Sequence, residues 1–168
     1  MRIENEIKPW LLSIELISGE SLSHFLGRVR RRNHLSCSAL GHLAGIGGVV
    51  SRWEKFYHNP FPSDTELMAL GGLLGVDLAT LRMMLPTVGD GMMCHPIRLC
   101  GACYIESPCH RLDWQLKSVG LCNRHQFRLL SSCPKCGARF KLPSLWEFGS
   151  CNRCGLSFNT MAQYQKLT

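Results

Sequence analysis

Four pairs of metal-ligating residue types, each pair split by two residues, crowd into positions 100–154: Cys100-Gly-Ala-Cys103, Cys122-Asn-Arg-His125, Cys133-Pro-Lys-Cys136 and Cys151-Asn-Arg-Cys154. A tetrahedral zinc ion takes four nitrogen or sulfur ligands, and a tight turn closed by such a pair offers two of them from one side. Taken in order, the pairs make a site of three cysteines and one histidine from Cys100, Cys103, Cys122 and His125, and an all-cysteine site from Cys133, Cys136, Cys151 and Cys154. Eighteen residues separate the halves of the first site and fourteen those of the second, close to zinc-ribbon spacing. One pair alone would be weak evidence; four in tandem predict two structural zinc ions.

Ten cysteines in a secreted chain would instead point to disulfides. The N-terminus, Met1-Arg-Ile-Glu-Asn-Glu-Ile-Lys8, is charged and has no apolar signal-peptide core. The longest soft stretch, Leu43 to Val50, is far too short to span a membrane. A cytoplasmic chain with reduced, metal-binding thiols is therefore expected. A catalytic zinc needs an open coordination position. Each site here has four protein ligands, so neither is expected to be catalytic.

The remaining cysteines, Cys37, Cys94 and Cys109, lack paired spacing. Cys37 reads as a small core residue, while Cys94-His95 and Cys109-His110 are weak competitors as ligands.

The size of the chain, 168 residues, fits small domains. Ribbon modules of this size bury too little apolar surface to fold alone, and metal binding worth on the order of 10 kcal/mol supplies the difference. The formal charge of +7 falls to about +4 once bound thiols are deprotonated. Residues 21–58 hold six basic and one acidic side chain, and residues 99–168 hold nine and three. Two basic regions flanking a slightly acidic one suit contact with nucleic-acid phosphates, although charge alone equally fits solvated faces.

Along the chain, residues 1–19 read as an extended arm in which Trp10 either covers a hole in the helical core or anchors a partner. Residues 20–85 read as a helical domain. A first helix begins near Ser21 with Leu22, Phe25, Leu26 and Val29 on one stripe and Arg28, Arg30, Arg31 and Arg32 beside it. Ser36 can cap a second helix, and Val49 to Tyr57 can form a third. Ser63-Asp-Thr-Glu66 is a capping box opening a helix with Leu67, Leu70 and Leu74 inward. After Gly75, a further helix carries Leu78, Leu81 and Leu85 and stops at Pro86. Helix, glycine turn, helix is the helix-turn-helix pattern. The second of these helices offers base edges only Thr80 and Arg82, which argues against sequence-specific reading of the major groove. Met83 and Met84 are usual core residues, but an exposed pair would suit a protein partner.

Residues 86–98 read as a linker, 99–130 as a first zinc module with Trp114 as its plug, and 131–168 as a second with a C-terminal helix capped by Asn159. A short helical turn is expected over His125 to Leu130. The fold expected is thus a mainly α helix-turn-helix domain followed by two tandem, metal-stabilised α+β modules resembling zinc ribbons.

No nucleotide-binding loop is present: Gly45-Ile-Gly47-Gly48 lacks the third glycine and a preceding strand, and no P-loop pattern occurs. A zinc deaminase needs H-x-E near P-C-x-x-C, and no H-x-E occurs. Only three acidic residues follow position 98, too few for a two-metal carboxylate cluster in that half. No enzymatic activity is expected.

Gly19-Glu20-Ser21-Leu22-Ser23 entering an amphipathic helix, followed by Arg98-Leu-Cys100-Gly-Ala-Cys103, Trp114, Cys122-Asn-Arg-His125, Leu129-Leu130 and Cys133-Pro-Lys-Cys136, resembles the TniQ family across almost the whole chain. The short length is similar to the compact members found with type V-K CRISPR-associated transposons. The resemblance implies a bacterial adaptor for choosing transposition targets. It would link a Cas effector ribonucleoprotein and its RNA, bound at target DNA, to the AAA+ regulator TnsC. Specificity would then come from guide pairing, leaving the protein to read backbone and shape. On that reading Arg28, Arg30, Arg31, Arg32, Arg124, Arg128, Arg139 and Lys141 contact phosphates or acidic partner groups. The rival expectation is a stand-alone DNA-binding regulator.

Overall fold

Ser21 decides where the first helix starts: its hydroxyl accepts from the His24 amide in extended backbone, and α1 (Leu22–Arg32) follows. The computed structural model of the chain describes residues 11–166. Trp10 and the first part of the expected arm lie outside them. Ser36 caps α2 (Cys37–Leu43), and α3 (Val49–Glu54) comes next. The capping box of Ser63 and Glu66 is formed at the start of α4 (Asp64–Leu74). That helix ends on Gly75 at φ 68°, a left-handed conformation that glycine adopts without a steric penalty. Asp77 caps α5 (Leu78–Met83). This last helix is shorter than expected, so Leu85 lies past its end, yet it is still buried.

These helices close one apolar core in which Leu26, Leu40, Leu70 and Leu81 are fully shielded from solvent. Each such leucine contributes about 2 kcal/mol relative to exposure. The third helix ends three residues before Tyr57, because Phe56 takes φ 61° and turns its ring out of this core. That ring joins a second core built around Trp114, Trp146, Phe158 and the cysteines.

The second half is organised by turns and short helices rather than by sheet. Among the described residues extended pairing is limited to isolated bridges, including Leu99 with Leu130, Leu121 with Arg128, Ser132 with Arg139 and Ser150 with Ser157. Helix α6 (Gly101–Glu106) opens the first cysteine module, and α7 (Phe158–Met161) closes the second. The two helices meet at Gly101, where a β-carbon would stand 2.5 Å from the Ala162 nitrogen. Ser157, not Asn159, caps α7, its hydroxyl accepting from the Asn159 amide. The helical turn expected over His125 to Leu130 is absent, since Phe127 to Leu130 run extended and pair back on the chain.

Residues 86–98 are not a free linker. The Gln115 side chain donates to the Met93 carbonyl at 2.8 Å and accepts from the Arg98 amide at 2.8 Å. Arg98 also donates to the Leu116 carbonyl at 2.6 Å, and Ile97 is buried. Among the described residues no helix is long and apolar enough to cross a membrane.

Buried polar groups join the two halves. Ser21 donates its amide to the His110 carbonyl at 2.9 Å, and its hydroxyl meets His110 Nδ1 at 2.9 Å. Glu20, also buried, pairs with His24 through one oxygen and with Arg28 at 2.7 Å through the other.

Candidate metal centres

Three of the four ligand pairs sit on the same local device. Cys122 accepts the Gln126 amide and donates its own to Phe127; Cys133 does likewise with Gly137 and Ala138, and Cys151 with Gly155 and Leu156. Each loop is a tight hairpin that points two ligands inward. Gly137 and Gly155 occupy φ 71° and 73°, as these turns require. The fourth pair is built differently. Cys100 is the N-cap of α6, and Cys103 lies one turn into the helix.

The pairs assemble in the predicted order. Cys100, Cys103, Cys122 and His125 bring their ligand atoms within 4.8 Å of one another, and so do Cys133, Cys136, Cys151 and Cys154. In a regular tetrahedron with bonds of about 2.3 Å to sulfur and 2.0 Å to nitrogen, sulfurs lie roughly 3.8 Å apart and sulfur lies roughly 3.5 Å from nitrogen. His125 Nδ1 is 3.3 Å from the Cys103 sulfur, 3.7 Å from Cys122 and 3.8 Å from Cys100. Cys103 and Cys122 sulfurs are 3.4 Å apart, and the Cys133–Cys154 and Cys136–Cys151 pairs are each 3.6 Å apart. These spacings fit two tetrahedral metal ions.

The thiols are electrostatically unequal. Burial pushes Cys103 well above the usual thiol value, and the neighbouring Cys122 and Cys100 thiols push it further. At Cys151 burial opposes ionisation, but the backbone N–H groups of Cys154 and Arg153 outweigh it and bring the thiol down to about 7. The amides of His125 and Arg124 lower Cys122 in the same way. Metal is bound by the thiolate form, which the hairpin amides favour at Cys122 and Cys151.

None of the unpaired cysteines joins either cluster. Cys37 donates to Glu54 at 3.3 Å, Cys94 lies by the Phe56 carbonyl, and Cys109 is buried beside Ser107. Sequence reasoning missed Glu106. Its carboxylate accepts from His125 Nε2 at 2.8 Å and from Arg124 at 2.6 Å. Its position three residues after Cys103 on a helix was the available signal.

The basic residues divide into two groups. Arg28 pairs with Glu20 and donates to the Glu15 carbonyl. Arg30 holds Glu54 through two bonds, at 2.5 and 2.9 Å. Arg31 donates to the carbonyls of Ser144 and Trp146 in the second module. The arginine cluster of α1 is therefore mostly internal, and only Arg32 is exposed. The reason is that Glu20, Glu54 and unpaired carbonyls face α1 from three neighbouring segments. Arg124 is half-exposed but committed to Glu106. Arg128, Arg139 and Lys141 are exposed and have no acidic partner among the described residues. Arg128 lines a groove of about 550 Å³ with Lys166, Tyr164, Ser131 and Ser132.

On α5, Arg82 is paired with Asp64, and the Thr80 hydroxyl donates to Asp77 at 2.9 Å. Met84 is buried, whereas Met83 is exposed beside Phe61 and Val88 on an apolar cleft of about 800 Å³. No protein-family model matches the chain, and no curated protein matches it.

Proposed function

We propose that this chain is a zinc-stabilised, non-enzymatic adaptor of the TniQ kind. It would join an RNA-guided Cas effector complex at target DNA to the AAA+ regulator TnsC. The observation that carries this reading is the pair of closed four-ligand sites, each able to satisfy a metal ion with protein atoms alone and so fitted to shape rather than to turnover. Zinc is the ion that best matches tetrahedral thiolate and imidazole sets in a reducing compartment.

Two unlike surfaces support a bridging role. One is basic: Arg128 and Lys166 are exposed beside an aromatic ring, Tyr164, and Arg139 and Lys141 are exposed elsewhere in the cysteine-rich half. Such a surface suits a nucleic-acid backbone. The other is apolar: Phe61, Met83 and Val88 are exposed around a shared cleft. That surface suits a protein partner. Neither requires a membrane or a small-molecule substrate. The test is co-purification with the AAA+ protein and with the effector ribonucleoprotein, with and without nucleotide. Failure to retain either partner at low salt would overturn the proposal.

A second reading, a stand-alone DNA-binding regulator, draws on the α4–Gly75–α5 arrangement. It is weakened by α5 itself, whose polar side chains Arg82 and Thr80 already have intramolecular partners. A footprint on one duplex sequence without any partner would favour it.

A further inference from the structure

We infer that Glu106 is a positioning residue for the first metal centre, selecting which nitrogen of His125 faces the metal and tying the two halves of that centre together. The inference rests on the reading of these clusters as metal sites.

The geometry starts in α6. Cys103 and Glu106 are three residues apart on this helix and therefore lie on one face. The ligand pair on the other side, Cys122 and His125, belongs to the hairpin. Glu106 reaches across. One carboxylate oxygen accepts from His125 Nε2 at 2.8 Å, and the other accepts from Arg124 Nη2 at 2.6 Å. The helix half and the hairpin half are thus held by a two-pronged clamp before any ligand bond is counted.

The chemical consequence follows from the imidazole. A neutral histidine carries one proton, and the nitrogen without it is the metal donor. A carboxylate oxygen can only accept, so it fixes the proton on Nε2. The lone pair is then left on Nδ1, the atom that faces all three sulfurs. A carboxylate partner also raises the basicity of the ligating ring, and loss of such a partner typically lowers metal affinity by about tenfold to a hundredfold. Arg124 holds the carboxylate in place from the other side. Its position next to His125 makes it part of the same device rather than a free phosphate contact.

The second centre supplies an internal control. Its four ligands are all cysteines, so it has no tautomer to select. The effect should therefore be confined to one of two ions in the same molecule.

The experiment is a zinc chelator competition on the full chain, comparing Glu106→Ala and Glu106→Gln with the parent. Expected is a parent that binds two zinc ions. Glu106→Ala should release one of them about ten to a hundred times more readily and leave the other unchanged. Glu106→Gln can still accept at Nε2 and should recover much of the loss. Nitrogen-15 spectra of the His125 ring should show Nδ1 bound to metal and the proton on Nε2 in the parent. Equal release of both ions from parent and Glu106→Ala, or metal on Nε2, would overturn the inference. A parent that binds no zinc would overturn the metal reading itself. If Glu106→Ala does not fold, Arg124→Ala carries the test: without the arginine that holds the Glu106 carboxylate, it should release the first ion more readily than the parent and leave the second unchanged, and wild-type release of both ions would sink the inference.

Discussion

Gly27 of α1 lies directly against the backbone of Ser144 in the second cysteine module, so close that a β-carbon at Gly27 would stand 2.5 Å from the Ser144 α-carbon. The contact explains why the helical half and the cysteine-rich half pack as one body. Arg31, one turn further along, donates to the Ser144 carbonyl at 2.5 Å and to Trp146 at 3.3 Å. The absence of a side chain at one position and a long cation at the next fix the same turn.

Gly27→Ala is expected to push α1 off this turn. Overpacking against side chains costs about 1–3 kcal/mol, and backbone atoms have less freedom to move aside, so the upper end applies. The measurement is thermal unfolding with zinc present, together with limited proteolysis around residues 86–98. An unchanged melting temperature would show that the two halves do not depend on this contact.

Loss of one ligand should act locally. On the reading of these clusters as zinc sites, Cys133→Ser is expected to lower bound zinc from two ions to one and to unfold the second module, because a bound metal would supply much of the folding energy of so small a unit. The first centre should keep its ion. Elemental analysis and a melting profile check this, and two retained ions would contradict it.

The basic residues should separate by mutation. Arg30→Ala leaves Glu54, which is buried, without its cation. Removing one partner of a buried pair costs about 3 kcal/mol or more. Nucleic-acid affinity, measured under conditions where the fold persists, should keep its salt dependence. Exchanging Arg128, Arg139 and Lys141 for Ala should do the reverse. Stability should change by less than about 0.5 kcal/mol per site, while the slope of log affinity against log salt becomes shallower. Val88→Asp should weaken capture of the proposed AAA+ partner and leave nucleic-acid binding alone. Retention assays with labelled RNA and with the ATPase read both outcomes.

Two histidines predict acid sensitivity apart from the metal. Burial holds His110 well below the usual imidazole value, with His24 adding to the effect. Burial likewise brings His58 down to about 4. Their folded values lie below their unfolded ones, so from about pH 6.5 downward the unfolded chain binds protons that the folded chain refuses. Stability therefore falls as pH falls from 6.5 towards 4, by up to about 1.4 kcal/mol per pH unit for each group. Chemical denaturation at saturating zinc should show this slope, and His110→Gln should flatten it. An identical slope in that variant would rule His110 out as the source.

Some features were decided by local chemistry and could be read from the chain alone. Ligand spacing within each pair fixes a turn, and Ser21, Ser36, Ser63 and Gly75 mark helix ends because capping and left-handed backbone depend on near neighbours. The order in which the pairs combine was legible too, because so few residues separate them. What the tertiary structure alone decided was the use of charge and of apparent linkers. Arg28, Arg30 and Arg31 look like a free basic face in sequence, but Glu20, Glu54 and the Ser144 turn reach them from distant positions. Residues 86–98 have a loop-like composition, yet Gln115 holds their second half at Met93 and Arg98. Phe56 lies in the helical segment but packs in the other core. Helix caps and ligand turns are short-range interactions written in a few residues, whereas the partner of a buried charge is whichever group the fold brings to it.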